Sequence, residues 1–181
     1  MVNNIDPIDQ IKGKEGDVNL YVLIGHYALS TNANNPVNHS LNFSIYGLGS
    51  CIALVLFDDK KRVSAMSHIL LPKVNTDKKI LYPHKYANLS VKLLLDELIY
   101  HGAVRENVKA IIVGGSKIFD FDNNIMGIDN ITSVKEELKK LKIQIIKEDT
   151  GGSVGRNVIF DTKCFSLYVR LTSDPDFTRI Y

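Results

Sequence analysis

A cysteine closes a glycine-rich stretch, Gly47-Leu48-Gly49-Ser50-Cys51, and a histidine, His68, follows seventeen residues on. A thiol and an imidazole are the working groups of a cysteine hydrolase: the thiolate attacks a carbonyl carbon and the imidazole carries protons. Between the two lie an apolar run from Cys51 to Phe57, a polar Asp58-Asp59-Lys60-Lys61 and a second apolar run from Val63 to Leu71. That is the pattern of a β-hairpin. With its turn centred between Asp59 and Lys60, Cys51 and His68 become cross-strand partners, with Cβ atoms about 4.5–5.5 Å apart. A one-residue slip breaks the pairing, so the dyad is an expectation about register.

The turn itself can assist. Gly47 and Gly49 permit positive φ and close backbone approach, so N–H groups around Gly47, Gly49 and Ser50 can be aimed at the oxyanion of a tetrahedral intermediate. His68 then protonates the leaving group and afterwards activates water, the alternation of acid and base that acyl transfer requires. A plainer reading stands beside this one. A cysteine in an apolar strand is usually a small core residue, and a lone histidine is usually a satisfied polar group. Cys164, next to Phe165 in an apolar run, has core packing as its default.

The rest of the chain must position this pair. Residues 1–17 read as a flexible leader and 18–181 as a single domain. Asn19 to Leu29 reads as one strand, 30–40 as a loop and Leu41 to Tyr46 as a strand entering the glycine turn. Ala87, Val91, Leu94, Leu95, Leu98 and Ile99 recur at helical intervals, and Gly102 is placed to end that helix. Lys109 to Val113 reads as a buried strand ending at Gly114-Gly115. Ser133-Val134-Lys135-Glu136 is a capping box, opening a helix that runs to about Lys142. Ile143 to Ile146 is a further strand, and Asn157 to Asp161 with Phe165 to Leu171 make a second hairpin. Two helices among seven or eight strands argue for an α+β fold with layered mixed or antiparallel sheets flanked by helices.

Composition narrows the classes. Twenty-two basic and 20 acidic residues leave a net charge of +2, no electrostatic case for nucleic acid or an anionic membrane. The N-terminus lacks a signal-peptide core and no apolar run is long enough to insert in a membrane, so the chain reads as cytoplasmic. Cys51 and Cys164 read as free thiols. Gly151-Gly152-Ser153-Val154-Gly155-Arg156 lacks the Gly-Lys-Ser/Thr ending of a phosphate loop. The oxygen-rich 120–124 segment fails as a calcium loop because Ile125 and Ile131 stand where glycine and glutamate are needed. His26, His39, His84 and His101 lack metal-site spacing, and the chemistry above requires no cofactor.

Taken in order, Gly47-Leu48-Gly49-Ser50-Cys51, Met66-Ser67-His68-Ile69-Leu70-Leu71-Pro72, Lys85-Tyr86-Ala87-Asn88, Gly114-Gly115, Ile128-Asp129-Asn130 and Asp149-Thr150-Gly151-Gly152-Ser153-Val154-Gly155-Arg156 resemble the CheD family of chemoreceptor glutamine deamidases. The resemblance spans about residues 20–170. It implies a cysteine-hydrolase fold and hydrolysis of receptor glutamines to glutamates, with Cys51 as nucleophile and His68 as base and acid. It also implies that Thr150, Gly151 and Gly152 help wall the substrate site. The implied partners are the cytoplasmic helices of chemoreceptors and a CheC-type phosphatase. Two positions depart from the family pattern. Gly114-Gly115-Ser116-Lys117 differs where alanine and methionine are usual, and Ile45 occupies the place of the threonine that is the family's third catalytic member. Ser44 is the neighbouring hydroxyl and the candidate orienting group, with Ser50 and Thr150 as alternatives. Ile45 also supports a second reading, an adaptor that binds receptors or phosphatase with little or no catalysis.

Overall fold

A computed structural model of the chain describes residues 17–33, 40–74, 79–118 and 125–181. The leader expected over 1–17 lies outside these except for Asp17, as do His39 and the 120–124 segment. Strands β4 (Ile52–Asp58) and β5 (Val63–Ile69) form the expected hairpin, and every residue in both is buried. Their runs do not alternate because both faces are covered. Ile52, Leu54 and Leu56 pack under the helices, while Ala53, Val55 and Phe57 meet a second sheet.

The hairpin belongs to a sheet of order β2-β5-β4-β6-β7, with β2 at Tyr27–Ser30, β6 at Lys109–Gly114 and β7 at Gln144–Thr150. The facing sheet runs β1-β3-β8-β9-β10: Val18–Tyr21, Leu41–Leu48, Arg156–Asp161, Ser166–Leu171 and Thr178–Arg179. Each is mixed, since β1 pairs with β3 and β6 with β7 in parallel among otherwise antiparallel neighbours. Helices α1 (Ala87–Tyr100) and α2 (Met126–Lys140) cover the outer face of the hairpin sheet. The α+β layering is as expected. Neither described helix is long and apolar enough to cross a membrane.

Helix α1 buries Ala87, Val91, Leu94, Leu95 and Leu98 along one stripe. It stops where the sequence places Gly102, whose φ is 97°. Gly102 N–H bonds to Ile99 O and Ala103 N–H to Leu98 O, at 3.0 and 2.9 Å, the two bonds of a Schellman end. The start of α2 differs from expectation. It begins at Met126, and Ser133 lies inside it, donating its hydroxyl to Pro72 O at 2.7 Å instead of capping. The buried face of the first turns consists of Gly127, Asn130 and Ser133, so no apolar period marks it. The single strand expected over 19–29 is two, β1 and β2 in different sheets. The chain crosses between them at Val22–His26, where Gly25 has a φ of 78°.

The hairpin turn also differs. The ladder ends at Asp58 opposite Val63, leaving a four-residue connection centred between Lys60 and Lys61. Asp58 Oδ1 accepts the N–H groups of Lys60 and Lys61, both at 3.0 Å, and Arg62 takes a φ of 56°. Burial pushes the Asp58 carboxyl up, but donors from Val104, Lys61, Asn107 and Lys60 together hold it below the usual range. A carboxylate gripping its own turn thus sets the register one step beyond the expected centre.

Beneath α1 lies a buried polar chain. His84 Nδ1 donates to Ser90 Oγ at 3.1 Å, and Ser90 Oγ donates to Ser67 Oγ at 3.0 Å. Burial first, and the nearby His26 second, push the His84 imidazole down to about 4. Its unfolded value is about 6.5, so below that pH the unfolded chain binds the extra proton and the folded one does not. Stability is therefore full above pH 6.5 and falls as pH drops toward 4, by roughly 3 kcal/mol for this group. Urea unfolding of wild type and His84→Gln at pH 7 and pH 4 should show the variant losing less stability on acidification. Equal losses would contradict the assignment.

Candidate active site

The Gly47–Cys51 stretch connects the end of β3 to the start of β4, passing from one sheet to the other. Gly47 has a φ of 68° and lies at the register shift of β3 between Ile45 and Leu48, just before the turn. Gly49 serves by close approach instead: a Cβ there would fall 2.4 Å from Ile118 Cδ1. Cys51 then lies in the cluster between the sheets, with Ala53, Val55 and Phe57. It is 9% exposed.

His68 stands opposite Ala53, two residues from the expected partner Cys51. An even slip preserves the face, because side chains alternate with a period of two. Cys51 and His68 therefore share the inner face of the sheet as diagonal neighbours, about 7–8 Å apart along the backbone and closer at Cβ. The dyad is diagonal, not directly opposed.

The bend between β1 and β2 grips the histidine. His68 N–H bonds to His26 O at 3.1 Å, Gly25 N–H bonds to His68 O at 2.9 Å, and the ring Nδ1 lies 3.0 Å from Val22 O. A carbonyl only accepts, so Nδ1 carries the hydrogen and Nε2 keeps its lone pair. Burial, 6% exposure, pushes the imidazole below its usual value, against the smaller opposing effect of the Val22 carbonyl. Burial likewise pushes the Cys51 thiol up, opposed by its own backbone N–H. At neutral pH the resting pair is a thiol and a neutral imidazole. The charged pair is not the resting state.

Ser44 does not reach His68. Ile45 faces the core between the sheets, and its neighbour on β3 points the other way. Ser44 Oγ donates to Leu20 O at 3.4 Å. The partner of His68 Nδ1 is the Val22 carbonyl, a main-chain atom that leaves no residue-type signal in the sequence.

The glycine loops meet around the cysteine. Gly47 N–H is already donated to Asn157 Oδ1 at 2.9 Å, which removes it from the expected oxyanion donors. Ser116 N–H bonds to Gly49 O at 2.9 Å and Gly115 N–H to Cys51 O at 2.8 Å. Thr150 pairs with Gly114 at the end of β7, Gly151 N–H bonds to Gly114 O, and Lys117 N–H bonds to Gly152 O. Thr150, Gly151 and Gly152 are thus tied to the cysteine turn through 114–117. Arg156 is buried and laces these loops, donating to Ser116 Oγ, Gly151 O, Val154 O and Asp149 Oδ1. Asn130, also buried, donates to Ser50 O at 2.8 Å and Leu70 O at 2.9 Å. Their neighbours, Gly155 and Asn157 for Arg156 and Asp129 and Ile131 for Asn130, carry no signal of these roles.

The family model that matches is CheD chemotactic sensory transduction, over residues 70–171. The match begins two residues after His68, so the dyad rests on its own geometry. A protein of Clostridium botulinum strain Hall, named probable chemoreceptor glutamine deamidase CheD, is 39% identical over 128 residues, covering 68% of this chain and 79% of its own. One of the same name from Clostridium novyi strain NT is 40% identical over 121 residues, covering 65% and 75%.

Proposed function

The chain belongs to the CheD family, and from that premise we propose that it is a chemoreceptor glutamine deamidase in which Cys51 and His68 carry the reaction. The observation that bears most weight is the hydrogen bond from His68 Nδ1 to Val22 O, which leaves Nε2 as a base on the face that carries Cys51. As the sulfur bonds to the side-chain carbonyl carbon of glutamine, its proton passes to Nε2. With Gly47 N–H taken by Asn157, the Cys51 N–H is the donor offered to the tetrahedral oxyanion. His68 then gives the proton to the departing nitrogen, the C–N bond breaks and ammonia leaves a thioester. Water, giving a proton to Nε2, attacks the thioester and the thiol is restored. Glutamine and water become glutamate and ammonia.

The substrate class follows from the family and from the surface beside the dyad. The bend that supplies Val22 presents Leu23 and Ile24 to solvent at 67% and 48% exposure, and its Gly25 packs closely on the partly exposed Tyr82. An apolar patch of that kind suits a protein substrate such as a receptor helix. Thr150, Gly151 and Gly152 belong to the outer wall, and Gly49 and Ser50 to the turn. The reading places the protein in the cytoplasm, where receptor signalling helices lie, with a CheC-type phosphatase as a further partner. Each glutamate formed adds a negative charge to a receptor helix and shifts its packing.

The test is mass spectrometry of a receptor cytoplasmic fragment incubated with the protein. Replacing NH₂ by OH should add roughly one mass unit to particular glutamine peptides, as acyl transfer to water requires. A fragment that binds but never changes mass would instead favour the adaptor. The Val22 carbonyl argues against that outcome, because it supplies the orientation that the threonine replaced by Ile45 would have given.

A further inference from the structure

The ladder between β4 and β5 stops at Ile52 opposite Ile69. Cys51 and Leu70 lie just beyond it, each tied elsewhere, Cys51 O to Gly115 N–H and Leu70 N–H to Lys85 O, and the ladder no longer joins the one to the other. One side chain spans that gap. Asn130 is fully buried on the second turn of α2, and its Nδ2 donates both hydrogens across the open end, to Ser50 O at 2.8 Å and Leu70 O at 2.9 Å.

We propose that Asn130 is a positioning residue for the dyad, clamping the two strand ends and setting the plane of the Ser50–Cys51 peptide. The proposal rests on the reading of Cys51 and His68 as the reacting pair. In a trans peptide the carbonyl and the following N–H point in opposite directions. Drawing Ser50 O toward α2 therefore turns the Cys51 N–H away from the helix, to the side where its own sulfur lies. Burial raises the Cys51 thiol and that N–H opposes it, so the clamp acts on a donor that favours the thiolate. The other carbonyl belongs to Leu70, two residues past His68, so the same amide fixes the separation of the two strands.

A purely structural explanation fits less well. Asn130 Oδ1 is buried and has no hydrogen-bond partner among the described residues, an orphan acceptor that an apolar residue would avoid. Anchorage of the helix is already supplied one turn on, where Ser133 holds Pro72 O. The amide is suited to a role that needs two donors at one point.

Three variants test this: Asn130→Ala, Asn130→Asp and, as comparator, Ser133→Ala, which removes an anchor of α2 without touching Ser50. Three quantities are read: kcat and KM on the receptor fragment, the rate of iodoacetamide labelling of the Cys51 peptide at neutral pH, and the melting temperature. Asn130→Ala should lower kcat by about 10- to 100-fold with KM within about threefold, the size expected of a misplaced reacting group. Labelling should slow by about fivefold or more as the thiolate loses its donor. Asn130→Asp, which sets a carboxylate against two carbonyls, should lose more, and Ser133→Ala should label as wild type does. Faster labelling is the mark of mere loosening, since the thiol is buried, and would overturn the proposal. So would an unchanged kcat, or failure of both Asn130 variants to fold. If wild type deamidates nothing while labelling still slows in Asn130→Ala alone, the clamp stands and the deamidase reading falls.

Discussion

Cys51→Ala should leave no measurable deamidation of a receptor fragment, a loss of at least about 10³-fold, because it removes the sulfur on which the proposed acyl-enzyme forms. The fold should survive. The side chain is small and already 9% exposed at the edge of the intersheet cluster, so its removal costs on the order of 1 kcal/mol. Cys164 does not substitute: it lies in the connection between β8 and β9, away from the cysteine turn, and is exposed. His68→Gln should be folded too and lose about 10²- to 10⁴-fold, the range for a missing general base. Retention of the one-unit mass shift in Cys51→Ala, measured on the same glutamine peptides, would remove Cys51 from the mechanism and with it the role given to His68.

The sequence shows the dyad more clearly than it shows what holds it. An apolar run, a polar quartet and a second apolar run announce the β4–β5 hairpin, and period-two alternation keeps Cys51 and His68 on one face even though the register differs by two. That difference comes from the Asp58 carboxylate, whose bonds to Lys60 and Lys61 place the turn one residue later, a preference that run lengths do not encode. Ile45 was visible as the missing hydroxyl, and Ser44 as the nearest replacement. The group actually facing His68 Nδ1 is the carbonyl of Val22, 46 residues away in the chain. Every residue has such a carbonyl, so no residue type betrays it. The start of α2 was hidden for the opposite reason: its inward residues, Gly127, Asn130 and Ser133, serve close approach and hydrogen bonding and so show no hydrophobic period.

Gly114→Ala should be the most damaging substitution outside the dyad. Strand β6 ends there with a φ of 114°, and a Cβ would fall 2.2 Å from Cys51 O and 2.8 Å from Leu48 Cδ2. Two penalties therefore combine. The backbone conformation is strained for any L side chain, and the first clash is with main chain, which cannot rotate aside. Together they should cost about 3 kcal/mol or more, a fall in melting temperature of roughly 6–12 °C. The position of the nucleophile suffers as well, because the next residue's N–H holds Cys51 O at 2.8 Å. A shift of about 1 Å at Cys51 should lower kcat by about 10²-fold. Gly102→Ala separates the two penalties, since Gly102 has a φ of 97° but a Cβ there meets nothing within 4 Å. It should cost only about 1 kcal/mol and leave kcat unchanged. Equal effects of the two substitutions would mean that backbone strain alone governs Gly114 and that its contact with Cys51 O does not position the thiol.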